Sequence, residues 1–412
     1  MNGMIAGIDV HKRVLMAVIA VASENGKPGR FERRRFGATS LEISNLSGWL
    51  VEHGVQEVVM ESTAQYWKPV WLALEGRFGL HLAQAWSNRA PRGKKTDFKD
   101  AQRLVRRYCA EELTLSFVPH AEQRQIRTLT RRRTQLTRDR IRIQNQVESL
   151  LEETRIKLSS VVSDLFGASG LRILEALAGG ETDAAKLAAL ADRRLQCPAQ
   201  QLIEALTGAV GAVHRLLLGQ HLDHLQLIDR QIEELSQQTA MLMQASSQAI
   251  ARLVNIPGIG AVTAQQIVAE AGPEASAFAS AAQFSSWIGV SPGKDESAEQ
   301  NNSSRCAKGN HYLRVVLCQA AQAAVRAQQS VFQRKFQRLL PRLGYTKAVW
   351  AIAHHLAVVI WKVLHQGVEY VEYGMKLAPE AVKRRLQRIK KQLRELGYSD
   401  ELQIIQTQNQ TI

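Results

Sequence analysis

Cysteine is scarce in this chain: four in 412 residues, at positions 109, 197, 306 and 318, with no CxxC pair and no closely spaced histidine partner. That excludes a disulfide-stapled secreted fold and argues against structural zinc, leaving thiols carried in a reducing cytosol. Aromatic residues make up only 6%, and long stretches rich in Leu, Ala, Arg and Gln point to much helix. No GxxxxGK[ST] stretch occurs, so a phosphate-cradling nucleotide loop of that kind is absent. Long apolar runs are missing too. Residues 348–365 come closest, but His354, His355 and Lys362 interrupt a run already short for a membrane span. Near the start, His11-Lys12-Arg13 followed by apolar residues 14–22 imitates a signal peptide. The preceding strand-like run 4–10 contains Asp9, so a β-hairpin is expected instead. These absences lead to the expectation of a cytoplasmic, nucleoid-associated protein with no membrane partner.

Acid is in short supply relative to base. Lys and Arg number 53 against 38 Asp and Glu, a net charge of +15. A surplus of that size favours a polyanion, because each phosphate neutralised releases counterions. Apolar content of 45% is that of a globular protein, and 412 residues exceed one ordinary core, so several domains are expected.

The hydrophobic pattern divides the chain. Up to about residue 118, strand and helix signals alternate. "MIAGIDV" and "VLMAVIAVA" read as strands and "RFERRRFGA" as a third with a charged face. A helix over 41–53, a strand "QEVVME", a helix over 66–78, a strand "LHLAQA" and a helix over 97–109 follow. A three-strand meander leading into helix–strand repeats is a mixed α/β layer. Residues 119–248 change character. Leu129, Leu136, Ile143 and Leu150 repeat every seven residues, with Ile126 and Val147 at the companion position and Arg133 and Arg140 breaking it. Leu225, Ile228, Ile232, Leu235 and Leu242 form a second heptad run. An antiparallel hairpin, a dimeric coiled coil or an ordinary helical bundle all fit. Residues 249–345 hold a glycine hairpin and a serine-rich stretch, and 346–412 read as helices ending in the basic tail "KRRLQRIKKQLR". The fold class expected is therefore multidomain: α/β at the N-terminus, helical beyond it.

Four carboxylates stand out. Asp9 in "GIDVHK" and Glu61 in "EVVME" sit near strand ends, and Asp97 and Asp100 in "KKTDFKDA" share one helix face. An RNase-H-like fold brings oxygen ligands together in this order to hold Mg²⁺, which prefers carboxylates and can clamp a phosphoryl transfer. Singly, each acid is more often a solvated strand end or a helix cap than a metal ligand. Arg89, Arg92, Lys94, Lys95, Lys99, Arg103, Arg106 and Arg107 flank the last pair. Base beside acid suits a site for metal and polyphosphate together; a solvated helix face is the bland alternative.

"IPGIGAVTA" has the form of a helix-hairpin-helix turn, with Gly258 and Gly260 permitting a tight turn whose amides meet a phosphate. A plain interhelical turn looks the same. Residues 291–321, "SPGKDESAEQNNSSRCAKGNHYLRVVLCQAA", offer several serines as nucleophiles but no histidine close upstream as their base. Arg305, Lys308 and Arg314 lie nearby to neutralise a phosphate, while "KGN" reads equally as a helix start.

Taken together, "GIDVHK", "MESTAQYW", "KTDFKDA", "IPGIG…TA", "WIGVSPGKDESA" and "KGNHYLR" resemble, in order and over nearly the whole chain, the insertion-sequence-110 family of transposases. The "KLSSVVSDLFGASG…EAL" insert and the "PGKDESA" spelling are similar to its 1111-type branch. The resemblance implies a RuvC-like domain whose four acids, here Asp9, Glu61, Asp97 and Asp100, bind Mg²⁺ (or Mn²⁺). It also implies a coiled-coil region and a C-terminal transposase domain carrying a serine five residues after the proline of a G-x-x-P stretch. Counted from Pro292, that serine is Ser297. Many relatives follow it with glycine, where this chain has Ala298-Glu299. Ser303 and Ser304 are its rivals here. The partners implied are double-stranded DNA at the element ends and target and a guide non-coding RNA, while the heptads favour further copies of the chain in a dimer or tetramer. Two other readings remain open at the level of sequence. One is a metal-dependent nuclease or junction resolvase that leaves Ser297 inert; the other is a nucleic-acid-binding protein without chemistry.

Overall fold

A computed structural model describes residues 3–21, 28–61, 64–89, 97–192, 195–293, 295–297, 300–303, 306, 308–372 and 387. They form two compact units, Met1–His120 and Ala121–Ile412.

The first unit is built on a five-stranded sheet. Its strands are β1 (Met4–Val10), β2 (Val14–Val21), β3 (Glu32–Gly37), β4 (Val55–Glu61) and β5 (Gly79–Ala83). They run in the order β3-β2-β1-β4-β5. The first three pair antiparallel, as the meander expected from the sequence, and β4 and β5 add in parallel to β1. β1 and β2 are near-continuous apolar runs because both their faces are covered. Helices α1 (Ser40–Glu52) and α2 (Trp67–Leu74) cover one face, where Ile8, Leu15, Met60, Leu46, Trp49 and Leu74 share a core. Each such side chain taken from water contributes roughly 1.5–3 kcal/mol. Helix α3 (Asp97–Cys109) covers the other face, against Ile5, Val18 and Val59.

Gly7 sets how closely α3 approaches. A Cβ there would lie 2.4 Å from the carbonyl oxygen of Ala101 and 2.8 Å from Val105 Cγ2. Only glycine lets the α3 backbone rest on β1 at this point.

The second unit is helical. Its longest members, α4 (Ala121–Glu153) and α9 (Ala212–Leu242), lie antiparallel, with Arg140 Nε 2.6 Å from Asp229 Oδ1 and Arg133 Nη1 3.4 Å from Ser236 Oγ. Leu136, Ile143, Val147 and Leu150 of α4 pack with Leu218, Leu225 and Ile228. Between these helices, α5 (Leu158–Val161), α6 (Ala168–Ala178), α7 (Ala184–Ala189) and α8 (Ala199–Leu206) fold onto the same core. The heptad pattern holds only in part. Toward its N-terminus α4 buries Gln123, Arg127, Thr130 and Arg133 rather than Ile126 and Leu129, and Leu242 is 48% exposed. The reason is a change of partner: Arg127 Nε donates 3.1 Å to the carbonyl of Ala269, in a helix that α9 does not replace.

That helix is α11 (Ala261–Ala271), joined to α10 (Ser247–Val254) through the glycine turn. Then come α12 (Ala281–Ile288), a two-stranded hairpin of β6 (Asp295–Ser297) and β7 (Gln300–Ser303), α13 (His311–Ala324) and α14 (Val331–His365). α14 contains Pro341 and kinks at Gly344, whose φ of 71° no helix accommodates. The late apolar run forms its second half, where Ile352, Leu356 and Ile360 are fully buried within the unit. The basic tail 383–394 lies, except for Gln387, outside the described residues.

Candidate active site

The alternation of side chains along a strand decides which residues meet. On β1, Ala6, Ile8 and Val10 face α1 and α2, so Ile5, Gly7 and Asp9 face α3. On β4, Val58 and Met60 take the first face, leaving Val59 and Glu61 on the second. β1 and β4 are adjacent and parallel, with Ile8 opposite Met60. Asp9 and Glu61 therefore end neighbouring strands on the same face. The first turn of α3 brings Asp97 and Asp100 over them. Asp9 is 7% and Asp100 6% exposed. Burial raises the Asp9 pKa above the usual carboxylate range; His11 pulls it down, and Asp100 and Glu61 push it up again. All three acids thus share one electrostatic field. Asp97 joins through His11: Asp9, His11 and Asp97 each offer a ligand atom, all within 4.8 Å of one another.

Two residues of this cluster were not among the site residues expected from the sequence, although His11 lies within "GIDVHK". His11 Nε2 is 3.1 Å from Asp9 Oδ2 and 3.9 Å from Asp97 Oδ1. Asn88, 3% exposed in the 3₁₀ turn Ala85–Asn88 that follows β5, donates Nδ2 to Glu61 Oε2 at 2.9 Å. That bond leaves its Oδ1 buried and, among the described residues, without a partner. A buried acceptor in this position calls for a donor or a cation. The same turn is clamped by α3. Arg103 Nε donates to the Asn88 carbonyl at 3.0 Å and its Nη2 meets Asp100, while Arg107 meets the Ser87 carbonyl.

The basic residues expected at nucleic acid divide. Lys94, Lys95 and Arg305 lie outside the described residues. Lys99 is exposed on α3, whereas Arg103 is turned inward onto Asp100 and Asn88. Lys308 is exposed, and the Arg314 guanidinium lies 4.9 Å from the Trp350 ring centre. Gly258 has φ 86°, and a Cβ there would fall 2.3 Å from the Ala320 carbonyl, so it packs against α13. Gly260 is the exposed N-cap of α11 with open space beside it.

Ser297 ends β6, in the second unit, with Gln300 of β7 as its pairing partner; Ser303 lies in β7 and Ser304 outside the described residues. The two feet of this hairpin are joined. Gly289 caps α12 with φ 83°, a Cβ on Gly309 would fall 2.4 Å from the backbone of Ile288 and Gly289, and Asn310 N donates 2.9 Å to the Trp287 carbonyl. Asn310 then caps α13, its Oδ1 accepting from Tyr312 N and Leu313 N, and its Nδ2 donates 2.8 Å to Glu270 Oε2.

Comparison with known proteins places these elements. Residues 6–156 match the model of a transposase family named DEDD_Tnp_IS110, and residues 250–337 match that of the transposase IS116/IS110/IS902 family. The chain belongs to the IS110 family of transposases. It is 27% identical over 285 residues to a probable family 20 transposase of Pseudomonas aeruginosa, covering 68% of this chain and 75% of the relative. The transposase for insertion sequence element IS1111A of Coxiella burnetii is 24% identical over 285 residues, covering 68% and 69%. This transposase is thus an enzyme acting on DNA. Its DEDD family and the Asp9–His11–Asp97 cluster point to a divalent metal. The donor set fits one, since carboxylate oxygens dominate it and Asn88, which carries an amide oxygen, is bonded to Glu61.

Proposed function

We propose that this transposase is an insertion-sequence recombinase in which Asp9, Glu61, Asp97 and Asp100 hold Mg²⁺, or Mn²⁺, and Ser297 forms the covalent bond to DNA. The observation that carries the reading is the meeting of strand-end Asp9 and Glu61 with Asp97 and Asp100 of α3 on one face of a mixed sheet. The order β3-β2-β1-β4-β5 is compatible with an RNase-H-like, RuvC-type domain over 1–118. We assign 119–248 to the helical connector, 249–345 to the serine-bearing domain and 346–412 to the C-terminal helices.

A divalent cation held by these acids would supply Lewis-acid stabilisation of the charge developing on a phosphate. The chain's own part is to fix that centre: Asn88 orients Glu61, and Arg103 orients Asp100. In the covalent step the Ser297 Oγ–P bond forms and one P–O bond of the DNA breaks. The proton lost from Oγ ends on the departing DNA oxygen, so no water or nucleotide is consumed. The phosphoester is retained, and a free hydroxyl of a second strand reverses the step.

The partners proposed are double-stranded DNA at element ends and target, a guide RNA encoded by the element, and a second or further copies of the chain. The basic surplus and the family resemblance support these assignments. Strand exchange by Ser297→Ala beside Ser304→Ala tests the nucleophile. Loss in the first and retention in the second is expected, together with a protein–DNA adduct trapped on nicked duplex by the unaltered protein. Cleavage with water-derived ends and no adduct would reassign the acids to hydrolysis. Sequencing of RNA that co-purifies with the chain tests the guide, and sedimentation on DNA tests the copy number.

A further inference from the structure

The arginine run of "RFERRRFGA" falls on β3, and β3 is the free edge of the sheet. Register places its side chains. Asp9 pairs with Met16 and Met16 with Arg35; Gly7 pairs with Val18 and Val18 with Arg33. Residues in one row across a sheet project to the same face. Arg33 and Arg35 therefore lie on the α3 face, the face of the carboxylates. Arg35 is level with Asp9 and two strand spacings away, about 10 Å.

Arg34, between them, lies on the opposite face, above the ring of Phe36 at 5.1 Å, with the Glu42 carboxylate in its field. Among the described residues no carboxylate pairs with Arg33 or Arg35, and Glu32 beside them reaches His53 instead, at 3.4 Å. The Arg33 guanidinium is propped 5.4 Å from the ring centre of Phe98 on α3, and Arg106 of α3 lies 5.2 Å from Phe31, just before β3. Lys12 and Arg13 extend the positive charge through the exposed turn next to Asp9.

Edge strands often carry charge merely to discourage pairing with other strands. That purpose is met by charge on either face and of either sign, and it gives no reason to leave the pair on the acidic face unanswered. An acid cluster repels a phosphodiester, and among the described residues His11 and Arg103 are the cations seen paired with it. Cations one phosphate or two along the strand supply the attraction that brings DNA there.

We infer that Arg33 and Arg35 of β3 form a phosphate track for duplex DNA, holding the strand that enters the carboxylate site from the free edge of the sheet. The track rests on the site reading above for its direction, though not on Ser297. Its contacts are to phosphate, so they set position and not sequence.

The test measures affinity of the full-length protein for a mixed-sequence DNA duplex as a function of KCl. For Arg33→Gln/Arg35→Gln the slope of log K against log salt is expected to become shallower by about two, near 0.9 for each phosphate that is no longer neutralised. Arg34→Gln, on the same strand but the other face, is expected to keep the original slope. Arg33→Lys/Arg35→Lys is expected to restore it, separating charge from packing on Phe98. A double Gln variant matching Arg34→Gln, a Lys variant that fails to restore the slope, or a loss confined to single-stranded RNA overturns the track. Ser297→Ala, which probes the covalent step alone, is expected to leave this slope unchanged, so the two readings fail separately.

Discussion

Arg131 of α4 grips Glu270 of α11 with two prongs, Nε 2.6 Å from Oε1 and Nη2 2.8 Å from Oε2. Glu270 is 2% exposed, and Arg127 reaches the same carboxylate at 3.4 Å. Asn310, which closes the foot of the serine hairpin, donates to Oε2 as well. One carboxylate thus ties α4 and α11 to the start of α13. Glu270→Ala leaves the buried Arg127 guanidinium and the partly exposed Arg131 without their shared carboxylate. Breaking a buried pair in this way costs about 3–5 kcal/mol. Urea unfolding is expected to show a loss of that size, and an unchanged midpoint would dismiss the junction as incidental.

Gly7→Ala should act on both stability and chemistry. The added methyl cannot coexist with the Ala101 carbonyl 2.4 Å away, so α3 must back off and carry Asp97 and Asp100 from Asp9 and Glu61. Overpacking of this kind costs about 1–3 kcal/mol, and displacement of a catalytic group by about 1 Å can lower a rate about 100-fold. Gly48→Ala is the control, since an exposed helical glycine with open space around it gains about 0.5–1 kcal/mol on substitution. Thermal melts of the two variants should move in opposite directions, and DNA cleavage should fall for Gly7→Ala alone.

How much of this was legible beforehand differs residue by residue. β1, β2 and the strand-end acids were readable because apolar runs and their punctuation are local signals. The row joining Asp9 to Arg35 needed two strand registers, which the pattern of "RFERRRFGA" only hinted at. Asn88 was invisible: it sits in a 3₁₀ turn without periodicity, and its partner Glu61 is 27 residues away. Arg127 and Ala269 are 142 apart. The heptads read as one seam along α4, but the helix changes neighbours part-way, so Leu129 and Ile126 yield the buried positions to Arg127 and Thr130.

Asn88→Ala tests whether that hidden residue serves the metal. It removes the donor on Glu61 and the unpartnered oxygen at once. Loss of a group that orients a ligand typically weakens metal affinity about 10–100-fold. Calorimetric titration with Mn²⁺ is expected to show a weakening in that range, with the fold retained by circular dichroism. Wild-type affinity in the variant would sever Asn88 from the site.

His355 makes the stability of the second unit depend on pH. Burial, with Lys335, His354 and Lys362 nearby, lowers its pKa to about 4 from an ordinary 6.5. Its Nδ1 is buried without a partner among the described residues, and its ring stands edge-on to Phe332. Between these two values the unfolded chain binds the extra proton and the folded one does not. Its contribution is therefore full above pH 6.5 and falls away as the pH drops toward 4. Urea midpoints taken across that window should fall more steeply for the wild type than for His355→Gln, which cannot titrate. Parallel curves would remove His355 as the cause.

Arg133 is the residue whose replacement should improve the fold. It occupies a heptad position of α4 facing α9, is 3% exposed, and makes one long bond, 3.4 Å, to Ser236. Among the described residues its Nε and Nη2 have no partner, and burial lowers its pKa, the mark of a cation held where it is poorly solvated. Even well-paired buried ions are often improved on by apolar side chains, by about 1–4 kcal/mol, and this one is barely paired. Arg133→Leu continues the apolar seam that begins at Leu136 and removes two unsatisfied donors in one step. A higher urea midpoint is expected. Arg140→Leu, on the same seam, is the contrast: it gives up a pairing with Asp229 at a half-exposed position, and exposed pairs are worth about 0–1 kcal/mol. If Arg133→Leu instead lowers the midpoint while Arg140→Leu does not, the Arg133 guanidinium has a partner in the assembled protein, and the search for it starts at Ser236.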